Sequence, residues 1–440
     1  MREFRRENTN MKMEWIHPSE QLVTIMNRIY RYGMTTTSGG NLSILDDDGD
    51  IWITPAGIDK GSLTPRDIVR VKADGTHDGI HQPSSELPFH ELIYKARPDI
   101  RSIIHAHTPS LVTFSILRKV PNHRFLPDLS EICGKVGIAK YALPGSQQLG
   151  KNIAEVFSQG SNAVILENHG VVIGSNTIIE TFKILELLDL SAKLEINANR
   201  LGRTVMLSDL QLEFYQAFSV EELLEYQHSI KNSEELYARE ELIKLIHRSY
   251  DQRLFSSTQG TFSERLDSSS FLITPHAVDR KTMRSEDLVR IEGDRRESGK
   301  FPSRAVKLHK AIYDQHPHVN SIIIAHPPNI TAFAITNTEF ESRTIPESYI
   351  LLRNVKKLPF GVTQDRPETV AQHCTIEQPV VLVKNDGVVV TAQSALQAFD
   401  RLEVIEYNAE AIIASKDMGN IISINNEQIK EIELAFFHNQ

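Results

Sequence analysis

Apolar residues along the chain fall into two kinds of run. Short stretches of strand length, DIWITP from Asp50, IRSIIHAH from Ile100 and NAVILENHGVVIG from Asn162, alternate with stretches of helical spacing. ELPFHELIYKARP, from Glu86, predicts a helix ended by Pro98, because proline restricts the residue before it. The segment after it, closing on His105-Ala106-His107, predicts a strand. This alternation predicts a mixed α/β domain with helices covering a sheet.

The pattern occurs twice. SGGNLSILDDDGDIWITPAGIDKGSLTPRDIVRV, from Ser38, returns as TQGTFSERLDSSSFLITPHAVDRKTMRSEDLVRI, from Thr258. PSSELPFHELIYKARPDIRSIIHAH returns as PSRAVKLHKAIYDQHPHVNSIIIAH, and AVILENHGVVIGS as VVLVKNDGVVVTA. Gly40 maps to Gly260, His107 to His326 and Gly170 to Gly387, offsets of 220, 219 and 217. Three ordered blocks at one spacing indicate two homologous domains of about 200 residues. We expect the first over 14–207, a connector over 208–239 and the second over 240–440. Ser208 to Arg239 lacks Gly and Pro and is rich in Glu, Leu and Gln, which predicts a helical connector. EQIKEIELAFFHNQ at the C-terminus predicts that each domain ends in a similar helix.

Composition narrows the function classes. The 440 residues carry 48 Lys+Arg against 57 Asp+Glu, a formal net charge of −9, which argues against a nucleic-acid partner. Cys133 and Cys374 are the only cysteines, too few for a disulfide framework or a four-cysteine zinc site. No apolar run reaches the roughly 18 residues a membrane span needs. MREFRRENTNMKMEW holds no apolar core of a signal peptide, so the cytoplasm is the expected address.

Four residues of the first repeat stand out: Glu86, His105, His107 and His169. Side chains alternate along a strand, so His105 and His107 point to one side, about 7 Å apart at Cα. Two imidazoles so placed can grip one metal ion. His169, in Asn168-His169-Gly170, can complete a three-nitrogen face with an open position, the arrangement of catalytic zinc and of other divalent ions. In the second repeat His105 becomes Ile324, His107 stays as His326, His169 becomes Asp386 and Glu86 becomes Ala305. The neighbours persist: Asn168 and Gly170 as Asn385 and Gly387, Pro83 and His90 as Pro302 and His309. Three of four candidate residues are lost together while scaffold survives, which points to a metal site in the first domain only. Persistence of His90 in both copies points to a structural hydrogen bond.

GGNLS, ITPAG, PSSE, HAH, PGS and NHG, in this order, resemble the class II aldolase/adducin family, and the resemblance covers both repeats. It implies a central, mainly antiparallel sheet between helical layers, assembled as a ring of four domains, here a dimer of the duplicated chain. It implies His105, His107 and His169 as metal ligands, for zinc or alternatively manganese or another divalent metal. Glu86 falls at the family's proton-transferring carboxylate. Gly40, Asn41, Gly57, Ser84 and Ser85 fall where the family holds a substrate phosphate; Ser84-Ser85 also suits a helix N-cap. The implied activity is a metal-dependent lyase that cleaves a small sugar phosphate by retro-aldol chemistry through a metal-stabilised enediolate. An epimerase, dehydratase or decarboxylase using the same chemistry is the alternative, as is a non-catalytic adducin-like scaffold.

The chain departs from the family pattern in places. Ala56 replaces a hydroxyl that often helps hold the phosphate, and Phe125 stands about where the aldolases place an acid Tyr. Asp128 is nearby. Tyr349, in the parallel segment IPESYILLR of the second copy, is a candidate to supply the missing hydroxyl across a domain boundary. Arg304, opposite Ser85, is a candidate anion clamp.

Overall fold

The computed structural model describes residues 13, 15–218, 222–228 and 232–437. It divides into two compact units, one of residues up to 124 with 128–193, the other of 125–127 with 194 onward. The division falls inside a helix, earlier than the sequence-based boundary at 207.

The first unit is built on eight strands: β1 (Asn41–Leu45), β2 (Ile51–Ile53), β3 (Val69–Val71), β4 (His77–Asp78), β5 (Ser102–Ala106), β6 (Val136–Ala139), β7 (Ala163–Leu166) and β8 (Val171–Ser175). Their order is β4-β3-β2-β1-β5-β8-β7-β6. All neighbours pair antiparallel except β6 with β7. The helices are α1 (Pro18–Arg31), α2 (Leu87–Ala96), α3 (Pro109–Leu117), α4 (Pro127–Cys133), α5 (Gln147–Ser158) and α6 (Ile178–Leu201), which carries the division at Lys193. α2 ends as its sequence dictates: Pro98 forces Arg97 out of the helical region, to φ −137°. Phe89 and Ile93 of α2 and Leu149, Ile153 and Phe157 of α5 pack on Ile53, Val69, Ile103, Val164 and Val172 of one sheet face. Each such side chain contributes roughly 1.5–3 kcal/mol by leaving water. α1 lies against β1 and β2. Every residue of β5 is buried, as befits a central strand covered on both faces.

The second unit repeats the architecture with β10 (Thr261–Arg265), β11 (Ser270–Ile273), β12 (Val289–Glu292), β13 (Arg295–Glu297), β14 (Ser321–Ala325), β15 (Lys356–Leu358), β16 (Val380–Val383) and β17 (Val388–Ala392), in the corresponding order. Its sheet has a ninth strand, β9 (Leu224–Tyr226), which pairs parallel with β13 at the edge. The connector is therefore not wholly helical. It holds α7 (Asp209–Ala217), then β9, then the start of α8 (Ser233–Asp251); residues 219–221 and 229–231 lie outside the described set. The open edge of β13 offers backbone partners, and this overrides the helical composition around Leu224. The remaining helices are α9 (Val306–Gln315), α10 (Pro328–Ala334), α11 (Pro346–Leu352), α12 (Val362–Asp365), α13 (Pro367–His373), α14 (Ala395–Ser415) and α15 (Asn426–Phe436). α7 and α15 open with the same device, a capping box formed by Ser208 with Gln211 and by Asn425 with Gln428. No helix among the described residues is long and apolar enough to cross a membrane.

Candidate metal centre and its carboxylate

The pairing of the first sheet gathers the candidate residues at one end of it. Asn41, which opens β1, sits opposite His105 near the end of β5, and Val171, which opens β8, sits opposite Ala106. The loop after β2 and the segment before α2 meet through a bridge between Pro55 and Pro83. The loops at 39–41, 54–57, 83–86 and 167–170, together with His107, thus converge.

His105 is fully buried, and its Nδ1 donates to the Val171 carbonyl at 2.9 Å. That bond fixes the tautomer and leaves Nε2 bare. His107 follows the strand, and its Nε2 faces the Nε2 of His105 at 3.0 Å. His169 stands in the β7–β8 turn, where Asn168 takes a left-handed conformation of φ 55°. The backbone N–H of His169 donates to Ser115 Oγ at 2.7 Å, and Ser115 Oγ donates to the Leu166 carbonyl at 2.6 Å, so Ser115 sets the turn. The three imidazoles bring ligand atoms within 4.8 Å of one another, the one such group of His, Cys, Asp and Glu found among the described residues. Gly170 admits this closeness: a Cβ there would lie 2.5 Å from His107 Cδ2 and 2.6 Å from the Ala106 carbonyl.

Burial pushes His105 down to about 3, helped by His169 and opposed by the Val171 bond. Burial, with His105 and His169 beside it, likewise pushes His107 down to about 3, against the pull of Glu86. Both rings are therefore neutral, with lone pairs available. Glu86 leans on the cluster, its Oε2 3.3 Å from His105 Nε2 and its Oε1 3.8 Å from His169 Nε2. Oε1 is buried and has no hydrogen-bond partner. Three converging imidazole nitrogens and an unpartnered buried carboxylate oxygen suit a divalent cation with nitrogen ligands and an open side.

Other expected residues are distributed differently. Glu86 itself occupies the N-cap of α2 without capping through its side chain, and Ser84 Oγ accepts from the Glu86 N–H at 3.3 Å. The cap expected of Ser84-Ser85 is thus shifted by one residue, which releases the carboxylate toward the histidines. Ser84 is buried and Ser85 exposed. Gly57 is exposed in a left-handed turn of φ 70°, and Gly40 has the same φ beside the His105 carbonyl. Asn41 does not present its side chain as a phosphate ligand. Its Nδ2 donates to Glu86 Oε2 at 2.7 Å and its Oδ1 lies 2.6 Å from His90 Nε2. Tyr349 is also spoken for within its own unit: its hydroxyl donates to Glu433 Oε1 at 2.7 Å. Arg304 lies over the Tyr215 ring, 5.3 Å from its centroid. Asp128 falls in the first turn of α4.

Ser43, Tyr94 and Ser115 were not singled out from the sequence. Ser43 Oγ contacts His90 Nδ1 at 2.7 Å and the Tyr94 hydroxyl at 2.6 Å. The signal lay in the repeat, where Ser43, His90 and Tyr94 return as Ser263, His309 and Tyr313. The second unit repeats that bonding, at 2.6 and 2.7 Å. Among its described residues it lacks the metal cluster: Ile324 joins the apolar core, and His326 Nε2 faces Asp386 Oδ1 at 3.5 Å.

A sequence profile described as the class II aldolase and adducin N-terminal domain matches residues 20–196 and again 240–413. Three curated relatives show the range of reactions in this group. A 3-oxo-tetronate 4-phosphate decarboxylase of Escherichia coli K12 is 30% identical over 179 residues, 40% of this chain and 84% of its own. A 5-deoxy-D-ribulose 1-phosphate aldolase of Bacillus thuringiensis serovar kurstaki is 30% identical over 200 residues, 44% of this chain and 91% of its own. An L-fuculose phosphate aldolase of Methanocaldococcus jannaschii is 31% identical over 177 residues, 40% of this chain and 94% of its own.

Proposed function

The chain belongs to the class II aldolase and adducin family, whose domain it carries twice, and from this premise we propose that its first unit is a metal-dependent lyase that cleaves a small sugar phosphate by retro-aldol chemistry. The observation that carries the reading is the placement of the unpartnered Glu86 Oε1 beside three converging imidazoles. His105, His107 and His169 hold a divalent cation, zinc or manganese by the donor set. Such a cation supplies Lewis acidity toward the oxygens of a substrate carbonyl and its neighbouring hydroxyl.

The chain's own groups do the rest. Glu86 is the general acid/base, with Oε1 the exchanging atom. In the cleavage direction a substrate hydroxyl gives its proton to the Glu86 carboxylate and the adjacent carbon–carbon bond breaks. The electron pair stays on the carbon beside the carbonyl, and that carbon takes a proton from Glu86. One proton is released and one delivered. Gly40, Gly57, Ser84 and Ser85, on the converging loops, supply backbone and hydroxyl donors for the phosphate. Asn41 serves this cradle through its place in the backbone, since its amide is engaged elsewhere.

The decarboxylase among the relatives favours a second reading, loss of carbon dioxide from a 3-oxo acid phosphate, which leaves an electron pair at the same kind of carbon. Incubating the metal-loaded chain separately with L-fuculose 1-phosphate, 5-deoxyribulose 1-phosphate and 3-oxo-tetronate 4-phosphate separates the two. Release of dihydroxyacetone phosphate from either ketose phosphate, reduced about 10²-fold or more in Glu86→Gln with metal content unchanged, supports the lyase. Carbon dioxide from the third compound alone moves the assignment to a decarboxylase. No turnover of any of them by a metal-loaded chain, or full turnover in Glu86→Gln, overturns the lyase reading.

A further inference from the structure

We propose that Asn41 and His90 are positioning residues for the Glu86 carboxylate, held by a one-way chain of hydrogen bonds that begins at Tyr94; the proposal rests on the reading of Glu86 as the proton-transferring group. The direction of every link follows from the one before it. Glu86 Oε2 accepts, so the Asn41 atom 2.7 Å away must be its NH₂. Asn41 Oδ1 then faces His90 Nε2 at 2.6 Å and needs a proton there. His90 is fully buried, and burial drives its pKa well below the ordinary imidazole range, so the ring is neutral. With Nε2 protonated, Nδ1 is bare and accepts from the Ser43 hydroxyl at 2.7 Å. Ser43 Oγ, having given its proton away, accepts from the Tyr94 hydroxyl at 2.6 Å. Tyr94, Ser43, His90 and Asn41 therefore all donate in one sense, toward Glu86.

The chain pins one carboxylate oxygen and leaves the other for chemistry. Oε2 is held by an amide whose backbone is locked in β1 opposite His105. Oε1 is left without a partner, on the side of His169. A carboxylate fixed at one oxygen loses rotational freedom before a substrate arrives.

The second unit separates the structural part of this chain from the part that serves the carboxylate. Tyr313, Ser263 and His309 repeat the first two links. Thr261 stands where Asn41 does, and its hydroxyl turns to Ser303 Oγ at 2.7 Å. Ala305 stands where Glu86 does. His309 Nε2 is left buried with no partner. The link from serine to histidine thus belongs to the fold and is present in both copies. The link from histidine through asparagine exists only where there is a carboxylate to receive it.

The test uses the full chain and two readouts. Joint neutron and X-ray diffraction of a deuterium-exchanged crystal reports the direction of the chain without any substrate. A deuteron on His90 Nε2 and none on Nδ1, with the Ser43 deuteron aimed at Nδ1, is expected; a deuteron on Nδ1 overturns the proposal. Asn41→Thr, the residue of the second copy, is then compared with the wild type by metal content and by deuterium uptake into dihydroxyacetone phosphate in D₂O. Expected are unchanged metal per chain, KM within about threefold, and kcat lowered by about 10–100-fold, the usual effect of losing such a partner. Wild-type kcat, or loss of metal from the variant, overturns the proposal. If the metal-loaded wild type itself takes up no deuterium, the reading of Glu86 fails and the proposal that rests on it falls with it; the neutron map still says whether the hydrogen-bond chain is built as described.

Discussion

His105→Ile tests the metal centre with the least disturbance to the fold, because the second unit already carries that residue. Ile324 lies opposite Thr261 in the register that His105 keeps with Asn41, and it packs in the core. Removing the imidazole takes the Nδ1 donor from the Val171 carbonyl, a cost of about 1–3 kcal/mol for a buried acceptor left unpaired. Burying the isoleucine returns roughly 1.5–3 kcal/mol. The two offset, so the metal-free variant should melt close to the metal-free wild type. The bound cation is where they should differ. At a free metal concentration a hundred times its Kd, binding stabilises the folded state by about 2.7 kcal/mol. For a unit of this size each kcal/mol moves the midpoint by about 2–4 °C. Chelation should therefore lower the wild-type transition of the first unit by about 5–10 °C. The variant should show no response, and elemental analysis should find about one metal per wild-type chain and essentially none in the variant. A variant that retains a full equivalent of metal, or whose melting still responds to chelator, would show that His105 is not a ligand.

Two further outcomes follow from groups in the second unit. Burial pushes His309 down to about 3, whereas in the unfolded chain it titrates near its ordinary 6.5. Below the latter value the unfolded state binds the extra proton, so the stability this group contributes is complete above about pH 6.5 and declines as pH falls toward 3, by at most ~1.4 kcal/mol per pH unit. The urea midpoint of the second unit should be lower at pH 5 than at pH 7, with a shallower dependence in His309→Asn, and identical slopes for the two would contradict this. Tyr349→Phe removes the bond to Glu433 on α15, so it should cost about 0.5–1.5 kcal/mol and speed proteolytic release of the C-terminal helix. Turnover should be unchanged; a large fall in kcat would restore the role that the sequence suggested for this hydroxyl.

The duplicated fold could be read from the sequence because its signals are local and occur twice. The strand ending in His105-Ala106-His107, the helix stopped by Pro98 and the Asn-His-Gly turn each depend on residues within a few positions. The strand β9 was not legible. Its partner β13 lies some 70 residues away, and nothing in Leu224-Glu225-Tyr226 announces an edge waiting to be paired. The resemblance to the family places Asn41 among the residues that hold the phosphate. The partners of its side chain, Glu86 and His90, are more than 40 residues on, and an amide's orientation is decided by what surrounds it. Tyr349 was offered as a proton donor from its place in a parallel segment, yet the residue that takes its hydroxyl, Glu433, sits in the terminal helix.

The two copies divide the conserved features of this domain into those the backbone demands and those the chemistry demands. Gly170 and Gly387 persist for a backbone reason: a Cβ at either would meet a carbonyl, that of Ala106 at 2.6 Å or that of Ala325 at 2.3 Å, whether or not histidines stand nearby. Asn168 and Asn385 persist because both turns need a left-handed residue, at φ 55° and 50°. His105, His169, Glu86 and Asn41 were replaced in the second copy with the sheet and its register intact. The sheet therefore does not depend on them. Where they are absent, the buried Nε2 of His309 has no partner. The bare nitrogen stands at the point where, in the first unit, His90 Nε2 meets Asn41 Oδ1 and through it the Glu86 carboxylate.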